Sequence, residues 1–473
     1  MSNRSHIRRH WAVFLGLVVA LAVWCAVDVS RRARVDPQRP GLHMTDVTVY
    51  TEAGAAFFDG REPYEVANIR GWKYLYPPLF ALMMAPLAQL APPAQAAVWF
   101  GISALMCFGI YFECRRILCH ALRIKGVGVE PEGPSHIPGW IVACAAITAV
   151  LPAVNCLQRG QMGVALLYPL LLGFRLIVTS RAHLGRLLGG VILALPVALK
   201  LTPLLPVACV EFVIFLACWN HQSTKAGWAL WSSAGCIAGA ILFFLLIPAS
   251  LVGWNKNLHY LAVWHEKVAV KVNDVRSDDF AENVDSPRNQ SLANAAYRFG
   301  NWIAYEFAGG PYDALTGKDH GLMPMDAPPA SNLLLGGRCL ALVVLLLVAI
   351  RAGRSGDPLL WGVALGLSSV ATLVVSPVAR GHYFVLFLPA SLFVPLWFLQ
   401  RGRHRVAVRA AIIPAALVVA HYTLLDYTGR IGLLGIGTAL WYFAVCVRIA
   451  FERKAVAAGN SETNTVVPMS RAA

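Results

Sequence analysis

Residues 358–376 read PLLWGVALGLSSVATLVVS, a run without a single charged side chain. A helix rises about 1.5 Å per residue, so about 20 apolar residues cross the roughly 30 Å hydrocarbon core of a bilayer. This run therefore predicts a membrane-spanning helix. Similar runs recur along the chain and predict about twelve spans, with a range of roughly 10–13. They are residues 11–28, 94–113, 138–153, 162–179, 186–199, 202–219, 227–250, 332–350, 358–376, 383–399, 408–425 and 431–449.

The composition agrees with a membrane protein. Hydrophobic residues make up 57% of the 473 residues and charged residues 14%, whereas about a quarter of a soluble domain is charged. A soluble core of this size could not bury so much apolar surface. The sequence thus predicts an all-α polytopic membrane protein with one transmembrane domain over residues 1–455. The polar residues 456–473 are predicted to form a disordered cytoplasmic tail.

The formal net charge of +15 has a topological explanation. The basic residues lie mostly between apolar runs, where they orient the chain and meet anionic lipid headgroups, so nucleic-acid binding is not expected. The positive-inside rule places both termini in the cytoplasm and two long loops, residues 29–93 and 251–331, on the outer face. The 11 cysteines follow no CxxC or Cys/His metal spacing and are absent from the two long loops, so a disulfide framework is not expected.

Two irregular segments differ from the regular spans. The runs 186–199 and 202–219 are short for a full crossing and flank the break Lys200-Leu201-Thr202-Pro203; broken helices at membrane depth usually line a cavity. The run Leu79–Leu90 follows Tyr76-Pro77-Pro78 and is too short to span. We expect it to form a helix that lies at the outer interface.

Asp46 is the first candidate for chemistry. It precedes a helical pattern over Thr48–Phe58, and spacing alone favours a helix N-cap. A carboxylate at the membrane surface could instead act as a general base that takes the proton of an attacking hydroxyl.

The other candidates each allow two interpretations. The turn Gln158-Arg159-Gly160-Gln161, expected at a helix start, could hold a sugar or phosphate, or be a polar interfacial turn. Lys200 could pair with a lipid phosphate or extend to the headgroups. Asn289 and Gln290 could contact a substrate or begin a solvated helix. Arg380 and His382 could bind phosphate or relay a proton, or be structural. All of these candidates fall on the outer side under one topology, which predicts an active site there.

The order of these motifs resembles glycosyltransferase family 87, a group with the GT-C fold that includes polyprenyl-phosphate-mannose-dependent mannosyltransferases. Asp46 and the stretch Tyr74–Ala81 are similar to its first outer loop. The Gln158–Gln161 turn is similar to its Q-N-G-Q turn, with Arg159 in place of the usual Asn. Three further matches follow in the family's order: Ala198–Pro203, Asn289-Gln290-Ser291, and Ser376-Pro377 with His382-Tyr383.

This resemblance implies a GT-C-like bundle and an inverting transfer of a sugar, with mannose the first candidate. The donor would be a polyprenyl-phosphate sugar and the acceptor a lipid-linked or envelope glycan at the outer face of the bacterial inner membrane. It implies Asp46 as general base, with His382 near donor or acceptor. Lys200, Arg159 and Arg380 would bind the donor phosphate; no metal or other cofactor is expected. The expected sugar and acceptor contacts are Gln158, Gln161, Asn289, Gln290 and Tyr76.

Two other functions share some of these features. A twelve-span secondary transporter would usually show related halves and ionisable groups at the bilayer midplane, neither of which is evident here. A glycan polymerase or ligase would use a polyprenyl diphosphate donor. The sequence leaves the sugar, the acceptor and the oligomeric state open.

Overall fold

A computed structural model describes residues 45–67, 73–124, 137–220, 226–270, 288–308 and 328–452, with scattered residues between 16 and 38. The described chain is helical, and its only β pairings there are the isolated bridges Ala67–Lys73 and Asn289–Arg380. The predicted tail, residues 456–473, lies outside the described residues, as does most of the predicted first span. The division into one domain therefore stays a prediction.

The helices are numbered in chain order. They are α1 Val47–Asp59, α2 Pro78–Met84, α3 Pro92–Ile124, α4 Gly139–Arg159, α5 Gly163–Thr179, α6 His183–Leu199, α7 Leu204–Asn220, α8 Ala226–Ala240, α9 Trp254–Trp264, α10 Leu292–Ala308, α11 Pro328–Ser355, α12 Pro358–Val375, α13 Leu388–Leu399, α14 His404–Thr423 and α15 Leu433–Phe451. A π-helical turn, Ile241–Leu246, and a helix, Ile247–Val252, prolong α8, and the 3-10 turn Gly381–Phe387 precedes α13.

The all-α polytopic architecture predicted from the apolar runs is confirmed. Eight helices in the described part of the chain are long and apolar enough to cross a membrane. The shorter apolar helices α5, α6 and α7 correspond to the three predicted runs around residues 162–219. The helix expected near Leu79–Leu90 is also present, as α2 and the 3-10 turn Ala85–Gln89.

Burial separates the centre of the bundle from its periphery. Nearly all side chains of α12 and α13 are buried, including Trp397 and Phe393. Large apolar side chains are exposed on outer helices, such as Leu105 on α3 at 71% and Leu333 on α11 at 78%. In water such exposure would be unfavourable, whereas lipid is a suitable solvent for it.

Two predicted boundaries are wrong. Helix α3 runs to Ile124, well past the predicted end at residue 113. It continues because Glu113 on α3 accepts from Arg175 on α5 and pairs with Arg116 at 3.3 Å, so the charged residues belong to a helix and not to a loop. Helix α4 runs to Arg159, past the predicted end at residue 153.

Successive helices alternate in direction, and this places several turns at one end of the bundle. The turns after α4, α6 and α12 meet there, joined by side-chain contacts described below. We call this the site end. The turns after α11 and α13 and the last residues of α15 lie at the opposite end, where Arg401 approaches Asp357 and Arg403 pairs with Glu452.

Candidate active site

Asp46 lies directly before α1, as the sequence suggested, but its side chain does not cap the helix. Among the described residues, its carboxylate makes no hydrogen bond to the amides of the first turn of α1. Instead, the side-chain amide of Gln161 donates to Asp46 Oδ2, and the Asp46 backbone amide donates to the carbonyl of Arg159 at 3.0 Å. The cap that spacing favours is therefore wrong. The carboxylate is 8% exposed and is held by the turn after α4.

The turn after α4 also leads into α5, which begins at Gly163, so the helix start that the sequence suggested is present. Gly160 has φ +67° and ends α4, and the Gln161 amide donates to the Cys156 carbonyl at 2.8 Å in a Schellman-type cap. A Cβ on Gly160 would stand 2.2 Å from Cγ2 of Val47. The missing side chain lets α1 approach, and this brings Asp46 and Gln161 together. Gln158 is buried at the same helix end.

Lys200 lies in the break between α6 and α7, and its ammonium points toward aromatic side chains. It donates to the Tyr383 hydroxyl, and its Nζ lies 4.0 Å from the centroid of the Tyr383 ring and 5.0 Å from that of Tyr76. A lysine that extended to the lipid headgroups would not make these contacts. The cation is thus held at the site end by cation–π attraction and one hydrogen bond.

Two neutral tyrosines, Tyr50 and Tyr76, lie between the Asp46 carboxylate and the Lys200 ammonium. The hydroxyls of Tyr50 and Tyr76 are 3.3 Å apart, and both side chains are buried. Burial raises the pKa of Tyr50, and the neighbouring Tyr76 and Asp46 raise it further. Burial also raises the pKa of Tyr76, although Lys200 acts against the shift. Both phenols therefore remain protonated hydrogen-bond donors at neutral pH.

His382 is the second residue of the 3-10 turn before α13 and is 2% exposed. Its Nε2 has no hydrogen-bond partner among the described residues. The Cys156 thiol donates to its backbone carbonyl at 3.3 Å, which ties the turn to α4. Lys200, Arg159 and Arg380 all interact electrostatically with the imidazole, so the three predicted phosphate-binding cations lie in its neighbourhood.

Asn289 and Gln290 are buried, so the interpretation as a solvated helix start is wrong. Asn289 Oδ1 accepts from the Ala379 amide at 2.9 Å, and the Gln290 amide donates to the Ala379 carbonyl at 2.7 Å. The Gln290 side chain donates to the carbonyl of Gly429 and accepts from the amide of Gly435. These bonds join the residues before α10 to the turn that carries Arg380 and His382. A direct substrate contact by either residue stays a prediction.

The comparison with known proteins agrees with this geometry. Residues 74–377 match glycosyltransferase family 87. The chain belongs to glycosyltransferase family 87. The matched range includes Tyr76, Arg159 and Lys200, begins after Asp46 and ends before Arg380.

One relative shares nearly the whole length of this family 87 chain. It is a polyprenol-phosphate-mannose-dependent alpha-(1-2)-phosphatidylinositol mannoside mannosyltransferase from Mycolicibacterium smegmatis, 24% identical over 488 residues, which cover 98% of this chain and 94% of the relative. The resemblance inferred from the order of the motifs is therefore confirmed.

The structure brings most predicted site residues of this family 87 enzyme together and adds others. Asp46 and Gln161 touch; Arg159, Lys200 and Arg380 interact with His382; and Tyr76 lies beside Lys200. Sequence reasoning assigned no role to Tyr50, one helical turn after Asp46, or to Tyr383, next to His382. Tyr383 directly follows His382 in the quoted motif, and this position was the available signal for it.

Lysine and arginine side chains supply the positive charge at the site. The described residues contain no group of three or more His, Cys, Asp or Glu side chains that could hold a metal ion. The cations near His382 are instead lysine and arginine side chains, which can neutralise a phosphate by themselves. Metal independence stays a prediction.

Proposed function

We propose that this family 87 glycosyltransferase transfers a sugar, with mannose the first candidate, from a polyprenyl phosphate to a lipid-linked or envelope glycan acceptor. The observation that carries the proposal is the arrangement at the site end: one buried carboxylate, Asp46, beside a group of cations that includes Lys200. The donor is also the one named for the Mycolicibacterium smegmatis relative.

The residues suit a single inverting displacement. The acceptor hydroxyl attacks the anomeric carbon while Asp46 takes its proton, and the bond between that carbon and the phosphate oxygen breaks with its electron pair passing to the phosphate. One base is sufficient, because no glycosyl-enzyme intermediate forms. Gln161 holds the carboxylate by donating to Oδ2, which directs its other oxygen toward the acceptor.

The cations stabilise the leaving group. The phosphate changes from a diester with one negative charge to a monoester with up to two, so positive groups bind it more tightly as the reaction proceeds. Lys200, Arg159 and Arg380 supply this charge around His382. The apolar rings of Tyr76 and Tyr383 shield Lys200 from water and strengthen its attraction for the phosphate.

The proposed topology places this chemistry on the outer face of the bacterial inner membrane, with both termini in the cytoplasm. The site end carries the two long predicted loops, and the opposite end carries arginines such as Arg351, Arg401 and Arg403. Arginine-rich short loops favour the cytoplasmic side.

The donor can be tested with purified protein in lipid nanodiscs, where no endogenous enzyme interconverts donors. Labelled mannose is offered on polyprenyl phosphate, on polyprenyl diphosphate and on a nucleotide, together with a membrane lipid extract as acceptor. We expect transfer from polyprenyl phosphate alone. Transfer from the diphosphate would identify a polymerase-like or ligase-like enzyme. Uptake of sugar into vesicles without transfer would identify a transporter.

A further inference from the structure

Three of the buried polar side-chain atoms that lack a hydrogen-bond partner among the described residues belong to the Arg380–His382 turn and the end of α14. They are His382 Nε2, His421 Nδ1 and the hydroxyl oxygen of Tyr422. His421 and Tyr422 come from the last turn of α14, a helix to which the proposed reaction assigns no residue. A buried polar group that lacks a partner is unfavourable, so the accumulation of such atoms here points to a ligand.

Gly381 lies against the side chains of both Tyr422 and His421. It lies between Arg380 and His382, and a Cβ on it would stand 3.0 Å from the Tyr422 hydroxyl oxygen and 3.4 Å from His421 Nε2. The end of α14 therefore packs directly against the backbone of the turn that carries two predicted site residues. The absent side chain lets the phenol and the imidazole approach this backbone closely.

The charged groups around Tyr422 and His421 indicate which ligand these two side chains favour. Tyr422 interacts electrostatically with Arg159, and His421 with Arg298. The adjoining His382 interacts with Arg159 and Arg380. No carboxylate is among the groups that influence Tyr422 or His421 in the described part of the chain. Neutral donors beside arginines, with no competing anion, form a suitable environment for phosphate oxygens.

We propose that Tyr422 and His421 complete the phosphate subsite around Arg380 and His382, where they donate hydrogen bonds to the phosphate of the polyprenyl donor. This inference rests on the proposed function for the identity of the lipid. The three atoms are shielded from water, so the phosphate reaches them when the Arg380–His382 turn moves relative to the end of α14. Binding then satisfies the atoms that lack partners in the unliganded protein.

The two donors also act during the reaction. Hydrogen bonds to an ionised acceptor are stronger than those to a neutral one, and the phosphate gains charge as the sugar leaves. Tyr422 and His421 therefore bind the product, polyprenyl phosphate, more tightly than the sugar-loaded donor. They touch the leaving group and take no proton from the acceptor, which remains the role of Asp46.

The test compares Tyr422→Phe with Tyr442→Phe. Each substitution removes one buried hydroxyl, but that of Tyr442 donates to the Ala341 carbonyl at 2.7 Å, whereas that of Tyr422 has no partner among the described residues. Purified full-length variants in nanodiscs are titrated with a short-chain polyprenyl phosphate and with the corresponding uncharged polyprenol, and thermal unfolding is recorded in parallel.

We expect Tyr422→Phe to weaken binding of polyprenyl phosphate by roughly tenfold to a hundredfold, the loss typical of a hydrogen bond to a charged group. Binding of the polyprenol should not change, and the unfolding temperature should not fall. Tyr442→Phe should show the reverse: a lower unfolding temperature and unchanged binding of both lipids. Gly381→Ala, whose Cβ would stand 3.0 Å from the Tyr422 hydroxyl oxygen and displace this side chain, should weaken binding of polyprenyl phosphate as well.

Two results would overturn the inference alone. One is a Tyr422→Phe variant that binds polyprenyl phosphate as tightly as the wild type; the other is an equal loss for the phosphate and the polyprenol, which would mean that the residue only packs against the lipid chain. A folded wild-type protein that does not bind polyprenyl phosphate at all would contradict the proposed function itself, and the inference with it.

Discussion

Two aspartates stand in the same local position, directly before a helix, at opposite ends of the bundle. Asp357 precedes α12, and its carboxylate accepts from the Leu359 amide at 3.0 Å, as a helix cap does. Asp46 precedes α1 and makes no such bond; its carboxylate accepts from Gln161 in another turn. Helix α12 ends just before the turn that carries His382, so the two ends are separated by about 27 Å along that helix.

The same contrast holds for the basic residues. At the opposite end, arginines meet carboxylates: Arg403 and Arg448 both pair with Glu452, at 2.8 and 3.1 Å, and Arg401 approaches Asp357 at 4.0 Å. At the site end, Lys200 meets tyrosine rings and hydroxyls. These arginines are neutralised within the protein, whereas Lys200 contacts neutral donors, as a cation that binds an external anion requires.

The largest expected effect is that of Asp46→Asn. The amide oxygen of Asn can still accept from Gln161, so the fold should be retained, but the group can no longer take a proton. We expect kcat for sugar transfer to fall by roughly 10²–10⁴-fold, the usual contribution of a general base, with little change in the unfolding temperature. Transfer from labelled polyprenyl-phosphate mannose in nanodiscs measures this. Activity near the wild-type level would show that Asp46 is not the base.

Asp357 supplies the matched comparison, because its substitution should lower stability slightly and leave sugar transfer unchanged. Asp357→Ala removes the cap of α12 and should lower the free energy of unfolding by about 1 kcal/mol. Asp357→Asn should cost less, because Asn caps a helix about as well as Asp does. Sugar transfer per folded molecule should be unchanged in both. A large loss of kcat in either variant would mean that the opposite end also takes part in the reaction.

The sequence predicted the elements better than the contacts. Apolar runs located most spans, and the break at Lys200-Leu201-Thr202-Pro203 correctly divided α6 from α7. The end of α3 was missed because Glu113 is stabilised by Arg175, and a partner 62 positions along the chain is not visible in local hydropathy. The turn at Arg159 was placed correctly before a helix start, but the pattern could not show that Gly160 ends α4 and lets α1 approach.

The sequence identified candidate residues for the site but could not show how they are arranged. Asp46, Lys200, Arg380 and His382 were found from motif order, whereas spacing alone favoured a cap for Asp46. The structure shows that its carboxylate accepts from Gln161 and does not cap α1, and the role as general base stays a prediction. Tyr422 and His421 left no signal in the sequence, since what distinguishes them is the lack of a partner at a buried position, a property of packing.

The central claim is that the site end binds a lipid phosphate, and the lipid retained on the purified protein tests it most directly. Native mass spectrometry would compare the wild type with Lys200→Met, which removes the charge but keeps an apolar side chain of similar length, and with Arg403→Ala at the opposite end. We expect polyprenyl phosphate, with or without its sugar, on the wild type and on Arg403→Ala, and its loss from Lys200→Met. Equal retention by all three proteins, or a diphosphate lipid in its place, would contradict the account.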